Sequence, residues 1–339
     1  MIRTLQCLFG VVLIAGTAAS AGTFSDLVVF GDSLSDAGNG FALNGQPPSP
    51  PYFQGRASDG PVWVERLAPL IGVAVPTASA VGGPNASDYA YYNARTTGGS
   101  VPSVQQQVQT YLAGHTPSPG DLFTIQGGAD DFSAGVLDPN APAHAIGNDI
   151  SALIGAGAKH VLVMNLPPLG QTPAFLGTPL EGFATSLSDS YDATFAGDLT
   201  TLRSTHPDVT ISLLDADALF RRIIADPAAY GLTDVTHPAL TGTPPMAGPD
   251  ADQHLFWDTG HPTATGHQLL AEAAASEVPE PAVLPMILIA VAAFIRRPIR
   301  AISGEQAATA TWPVVTSALS SHKAGCSARS RWRSRESSR

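Results

Sequence analysis

Two kinds of hydrophobic pattern take turns along the chain. Short continuous runs of aliphatic and β-branched residues occur at Leu27–Phe30, Asp121–Gln126, His160–Asn165 and Val209–Leu214. Each is continuous rather than alternating, which predicts strands covered on both faces, as in a parallel sheet. Between them, Pro61–Ile71, Val101–Ala113, Ala141–Ala156, Ser186–His206 and Asp215–Ala225 have helical character, and Gly72–Val75 reads as one more short strand. Strands alternating with helices imply right-handed crossovers, so the predicted fold is α/β: a three-layer α/β/α sandwich on a mostly parallel sheet. Ligands of such sheets sit beyond the carboxyl ends of the strands. Candidate chemistry is therefore expected just after Phe30, just after Gln126 and in the late loops.

The ends follow other rules. Residues 1–21 combine Arg3, an apolar run from Leu8 to Ala15 and the small residues Ala19-Ser20-Ala21, the order of a secretory signal cut after Ala21. That run is too short to span about 30 Å of hydrocarbon. Near the other end, Val278-Pro279-Glu280-Pro281 precedes the apolar stretch Ala282–Ile295 and then Arg296-Arg297. This order resembles the PEP-CTERM sorting signal of bacteria, which implies transient membrane association through 282–295, a sorting protease as partner, and export to the cell envelope or beyond. Such signals normally end near the arginines, whereas here 298–339 follow, a basic stretch of Ser, Ala, Thr and Arg that reads as disordered. The expected organisation is a signal at 1–21, a single body at 22–277, a sorting segment at 278–297 and a tail.

Charge and cysteine content narrow the body's partners. Of 17 basic side chains one lies in the first 21 residues and nine lie beyond residue 295, leaving seven against 26 acidic ones over residues 22–295, a net of −19. Such a body repels phosphate backbones, so no nucleic-acid partner is expected. The two cysteines, Cys7 and Cys326, fall outside it, which leaves no disulfide framework and no thiolate metal site.

The chemistry concentrates in two motifs. Gly31-Asp32-Ser33-Leu34-Ser35-Asp36 follows the first predicted strand directly and exposes a serine at a sharp turn. Far downstream, Asp258-Thr259-Gly260-His261 puts a carboxylate three residues before a histidine, ahead of a helix expected to begin at Pro262. A serine hydroxyl is a poor nucleophile until an imidazole takes its proton, and that imidazole needs a carboxylate to fix its tautomer. His254 and His267 beside these residues raise the alternative of a metal site, but no further ligand supports it, and no metal or cofactor is expected. Tyr89, Tyr91 and Tyr92 either line a cleft or form a half-buried edge, and Asp32 and Asp131 read as turn-fixing acceptors of backbone N–H groups.

Together these residues resemble the GDSL, or SGNH, family of serine hydrolases, esterases and lipases on a flavodoxin-like sheet. The likeness spans about residues 26–277 and includes Gly55-Arg56, Gly60-Pro61-Val62-Trp63 and Asn165-Leu166-Pro167. It implies Ser33 as nucleophile, His261 as base and then acid, Asp258 as its orienter, and a small-molecule, lipid or carbohydrate ester as substrate. It also implies an oxyanion hole built from Ser33, a glycine and an asparagine, and there the chain departs: Asn93 stands for the glycine and Asp130 for the asparagine. An ionised Asp130 has no proton to donate. Either burial near Asp131 keeps it protonated, or the Asn93 amide takes its place, the option the sequence slightly favours; asparagine also tolerates unusual φ. The alternative function is a catalytically weakened cell-envelope binding protein that retains the fold.

Overall fold

The computed structural model describes residues 24–278; the expected signal, the sorting segment from Pro279 onward and the tail lie outside the described residues. Four strands, β1 (Leu27–Phe30), β2 (Leu122–Ile125), β3 (His160–Met164) and β4 (Thr210–Leu214), form a sheet in that order with every pair parallel. The helices are α1 (Asn39–Asn44), α2 (Trp63–Leu70), α3 (Val104–Gly114), α4 (Ala129–Ser133), α5 (Asn140–Ala156), α6 (Glu181–Thr205), α7 (Ala216–Ala225) and α8 (Ala264–Glu277). Beyond the main sheet, β5 (Asp234–Pro238) pairs in parallel with β8 (His254–Phe256), and β6 (Leu240–Thr241) forms a hairpin with β7 (Met246–Ala247).

Both faces of the sheet are covered, which is why its strands read as continuous apolar runs. Leu27, Val29, Leu162 and Met164 pack with α2, α7 and α8 in one core. Val28, Phe30, Phe123 and Val161 pack with α3, α5 and α6 in the other. The result is a three-layer α/β/α sandwich on a parallel sheet.

On the outer edge of β1, Asp88 forms a parallel bridge to Val29, where the Val29 N–H donates to the Ser87 carbonyl at 2.8 Å and the Tyr89 N–H to the Val29 carbonyl at 2.8 Å. The chain reaches this edge through α2 on one face and then returns to β2 through α3 on the other. The connections leaving β1 thus part to opposite sides, and a crevice opens at its carboxyl end.

Three expectations are corrected. Gly72–Val75 is not a strand: Gly72 turns at φ +77°, and Gly72, Ala74 and Val75 are exposed with no pairing partner. The last helix starts at Ala264 rather than Pro262, because the Thr263 side chain accepts the Gly266 N–H and caps it. α6 begins at Glu181, five residues before the expected Ser186: the Ala184 N–H already donates to the Leu180 carbonyl at 2.9 Å, and the added turn carries Phe183 and Ala184 to the wall of a cleft.

Asp36 ties the loop after β1 to the edge segment. Its carboxylate accepts the N–H groups of Gly38, Asn39, Gly40 and Tyr92 at 2.5 to 2.9 Å. Gly40 is required beneath it, because a Cβ there would come within 2.9 Å of the Asp36 oxygen and 2.7 Å of Tyr92. Asp88 accepts from Ala37 and Ala90, and the Asn39 amide donates to the carbonyls of Asp88 and Ala90. Burial raises the Asp36 carboxyl to about 6 in spite of its four donors. Asp36→Ala leaves those donors without an acceptor in a buried site and is expected to destabilise the protein by about 2 to 4 kcal/mol, read as a lower urea midpoint.

Candidate active site

Short-range hydrogen bonds fix the turn that presents Ser33. Gln107 grips Gly31 from both sides: its Oε1 accepts the Gly31 N–H at 2.9 Å and its Nε2 donates to the Gly31 carbonyl at 2.9 Å. A Cβ at Gly31 would stand 2.7 Å from Gln126 Nε2, so a larger residue would push that side chain from its place on Asp32. Asp32 Oδ1 accepts the Leu34 N–H at 3.0 Å and Gln126 Nε2 at 2.7 Å, while its carbonyl receives the Ser35 and Asp36 amides. Asp131 likewise accepts the Thr96 N–H and hydroxyl. Among the described residues the Ser33 N–H has no acceptor.

Folding brings together Ser33, His261 and Asp258. Ser33 Oγ lies 2.9 Å from His261 Nε2 across 228 positions of sequence. On the other side of the ring, His261 Nδ1 lies 2.9 and 2.8 Å from the two Asp258 oxygens. Asp258 Oδ1 also accepts the N–H groups of Gly260 and His261 at 2.8 Å, and Oδ2 accepts the Tyr52 hydroxyl at 2.8 Å. Burial pushes Asp258 up, but the His261 charge and these hydrogen bonds outweigh it and hold the carboxyl well below the usual range. An ionised Asp258 only accepts, so Nδ1 carries the proton of a neutral His261 and Nε2 is left to accept from the Ser33 hydroxyl. Burial pulls His261 down, yet Asp258, with Asp130 and Asp32 behind it, raises it above an ordinary histidine. Tyr92 stacks on the same ring at 5.8 Å between centroids.

The two residues expected to complete an oxyanion hole part company. Asp130 lines the cleft beside Ser33, and its carboxyl has no hydrogen-bond partner among the described residues. Desolvation, reinforced by the nearby charge of Asp32, pushes its carboxyl up to about 8. Asn93 takes the glycine-like φ of +64°, but its side chain is exposed and outside the cleft lining. Of the two ways to supply the missing donor, this geometry favours a protonated Asp130 over the Asn93 amide.

The cleft has a volume of about 720 Å³, and Ser33, Tyr52, Tyr92, Asp130, Asp258 and His261 gather in its lining. Of the three tyrosines singled out in sequence, only Tyr92 reaches it; Tyr89 is buried against Phe30 and Tyr111, and Tyr91 is half-buried. His267 is buried, accepts the Trp63 N–H at 3.2 Å and is held far below an ordinary histidine by desolvation, while His254 lies 3.1 Å from the His237 carbonyl. Among the described residues no three such side chains converge as metal donors. Tyr52, Gln107, Gln126 and Asp36 were not singled out in sequence. Tyr52 follows a proline-rich stretch 206 positions before Asp258, and glutamines carry no motif, so only the proximity of Asp36 to Ser33 offered a signal.

A family model described as GDSL-like Lipase/Acylhydrolase matches residues 27–274. A phosphatidylcholine-sterol acyltransferase of Aeromonas hydrophila is 29% identical over 327 residues, covering 81% of this chain and 97% of its own length. An uncharacterized protein in the trpE-trpG intergenic region of Pseudomonas putida is 30% identical over 302 residues, covering 78% of this chain and 50% of its own. Esterase EstA of Pseudomonas aeruginosa is 30% identical over 320 residues, covering 75% of this chain and 47% of its own. The chain therefore spans about half the length of these last two relatives.

Proposed function

Because the chain belongs to the GDSL-like lipase/acylhydrolase family, we propose that it hydrolyses carboxylic esters through an acyl-enzyme. The observation that carries this reading is the 2.9 Å contact between Ser33 Oγ and His261 Nε2, backed by Asp258 on the far ring nitrogen. His261 takes the Ser33 proton as Oγ attacks the ester carbonyl, and Asp258 stabilises the imidazolium that forms. The tetrahedral oxygen is received by the Ser33 N–H and the Asp130 carboxyl proton. His261 then returns its proton to the alkoxide, which leaves as the alcohol. Water attacks the acyl-enzyme with His261 again as base, the carboxylic acid departs, and Ser33 regains its proton.

A stopped-flow burst of p-nitrophenol from p-nitrophenyl butyrate, together with fluorophosphonate labelling of Ser33, tests the reading. Absence of both overturns it in favour of a binding protein on the same fold. Export to the cell envelope is part of the proposal and rests on the residue order at 1–21 and 278–297. Mass spectrometry of the native protein is expected to find an amino terminus at Gly22.

Tyr52 acts as a positioning residue through Asp258. Its hydroxyl proton draws charge from Oδ2, so Tyr52→Phe makes Asp258 a stronger acceptor and raises His261 further. Turnover is expected to fall roughly three- to tenfold, the worth of one hydrogen bond, and the acid limb of the pH profile to move upward. A merely structural role would lower turnover without moving that limb.

A further inference from the structure

Apart from the groups around Ser33, most of the residues that line the cleft are apolar. Phe132 of α4, Leu166 after β3, Phe183 and Leu187 of α6 and Leu240 of β6 come from four separate segments to line one continuous space with Ser33. Apart from Asp32, Asp130, Asp258 and His261, no charged residue of the described chain lines it. Leu137, Leu180 and Phe183, also in the lining, are exposed by 64%, 56% and 50%, so apolar surface runs from the depth of the cleft out to solvent.

We propose that this apolar arm is an acyl-chain site and that the preferred substrates are esters of fatty acids with eight or more carbons. This deepens the hydrolase reading and rests on it. A methylene takes up about the volume of a water, roughly 30 Å³, so an eight-carbon chain needs on the order of 240 Å³, well within a cleft of about 720 Å³. An acetyl group would leave most of that space as water against apolar walls. A sugar would bring hydroxyls that need polar partners, and away from the Ser33 end the lining offers little beyond Ser133, Thr172 and Thr259. The spacing of Leu180, Phe183, Ala184 and Leu187 gives one helical face turned toward the arm, on which Leu180 and Phe183 are exposed rather than packed in the core.

The test is a series of p-nitrophenyl esters from acetate to decanoate with the full chain, each below its aggregation concentration, with fluorophosphonate labelling alongside. Every methylene moved from water into the arm is expected to raise kcat/KM by about two- to fourfold, giving roughly 50-fold or more between acetate and octanoate. Ala184→Trp, which plugs the arm from α6, and Leu240→Trp, which plugs it from the β6 hairpin, are each expected to lower the decanoate-to-acetate ratio at least about tenfold. A flat or falling series in the unaltered protein, with Ser33 still labelled, overturns the acyl site and leaves the hydrolase standing. No labelling and no turnover at any chain length overturns both.

Discussion

Ser33→Ala is expected to lower kcat/KM for p-nitrophenyl octanoate by about 10⁴- to 10⁶-fold and to abolish fluorophosphonate labelling. The size follows from the proposed mechanism, in which Ser33, His261 and Asp258 act as a unit. Without Oγ no acyl-enzyme forms, and His261 has no hydroxyl to activate 2.9 Å away. His261→Ala should therefore cost nearly as much, because a serine hydroxyl left with its proton is a weak nucleophile. The double variant should cost no more than either single one, whereas independent contributions would multiply. Asp258→Asn removes the charge that raises His261 and the acceptor that fixes its tautomer, and is expected to cost less than the loss of serine. The fold should barely notice Ser33→Ala: Gly31, Asp32 and Asp36 hold the turn through groups that the substitution leaves in place, so thermal unfolding should shift by about 1 kcal/mol or less. A Ser33→Ala protein that keeps a tenth of wild-type turnover would end the covalent mechanism.

Much of the fold could be read before any coordinates, for a physical reason. A strand buried on both faces has to be a continuous apolar run, and Leu27–Phe30 and His160–Met164 were found that way to within a residue. The pairs β5–β8 and β6–β7 were missed because residues such as Thr236, His237 and Met246 are exposed and carry no buried period. Ser33 was legible as a serine at the exit of the first strand, and Asp258 and His261 because a carboxylate and an imidazole share one short loop far downstream. The supports behind them were not: Gln107, Tyr52 and Asp36 act through hydrogen bonds set by tertiary approach, across 76, 206 and 56 positions in the bonds to Gly31, Asp258 and Tyr92. The apolar arm was hidden for a related reason. Leu187 looks like a core position of the predicted helix and Phe183 falls before it, and only their neighbours Leu166 and Leu240 show that they border a space.

Asp130 supplies the sharpest test of how this site differs from one with asparagine there. The carboxyl donates to a developing oxyanion only while it holds its proton. Desolvation, with Asp32 nearby, has raised it to about 8, so it is mostly protonated at pH 7 and loses that proton as pH rises through 8. His261 works in the opposite sense: it must be neutral to accept from Ser33, and it is raised above the ordinary histidine value, so activity climbs as pH passes through that raised value. The wild-type profile of kcat/KM is thus expected to be a narrow bell whose two limbs belong to the coupled pair. Asp130→Asn carries its N–H at every pH. It should match wild type within about threefold near pH 7 and exceed it roughly tenfold at pH 9, where about one carboxyl in ten would still be protonated. Asp130→Ala, with no donor at all, is expected to lose about 10²- to 10³-fold across the range. If the asparagine variant kept the same alkaline limb, the limb would belong to another group, and the Ser33 N–H would have to hold the oxyanion without help from position 130.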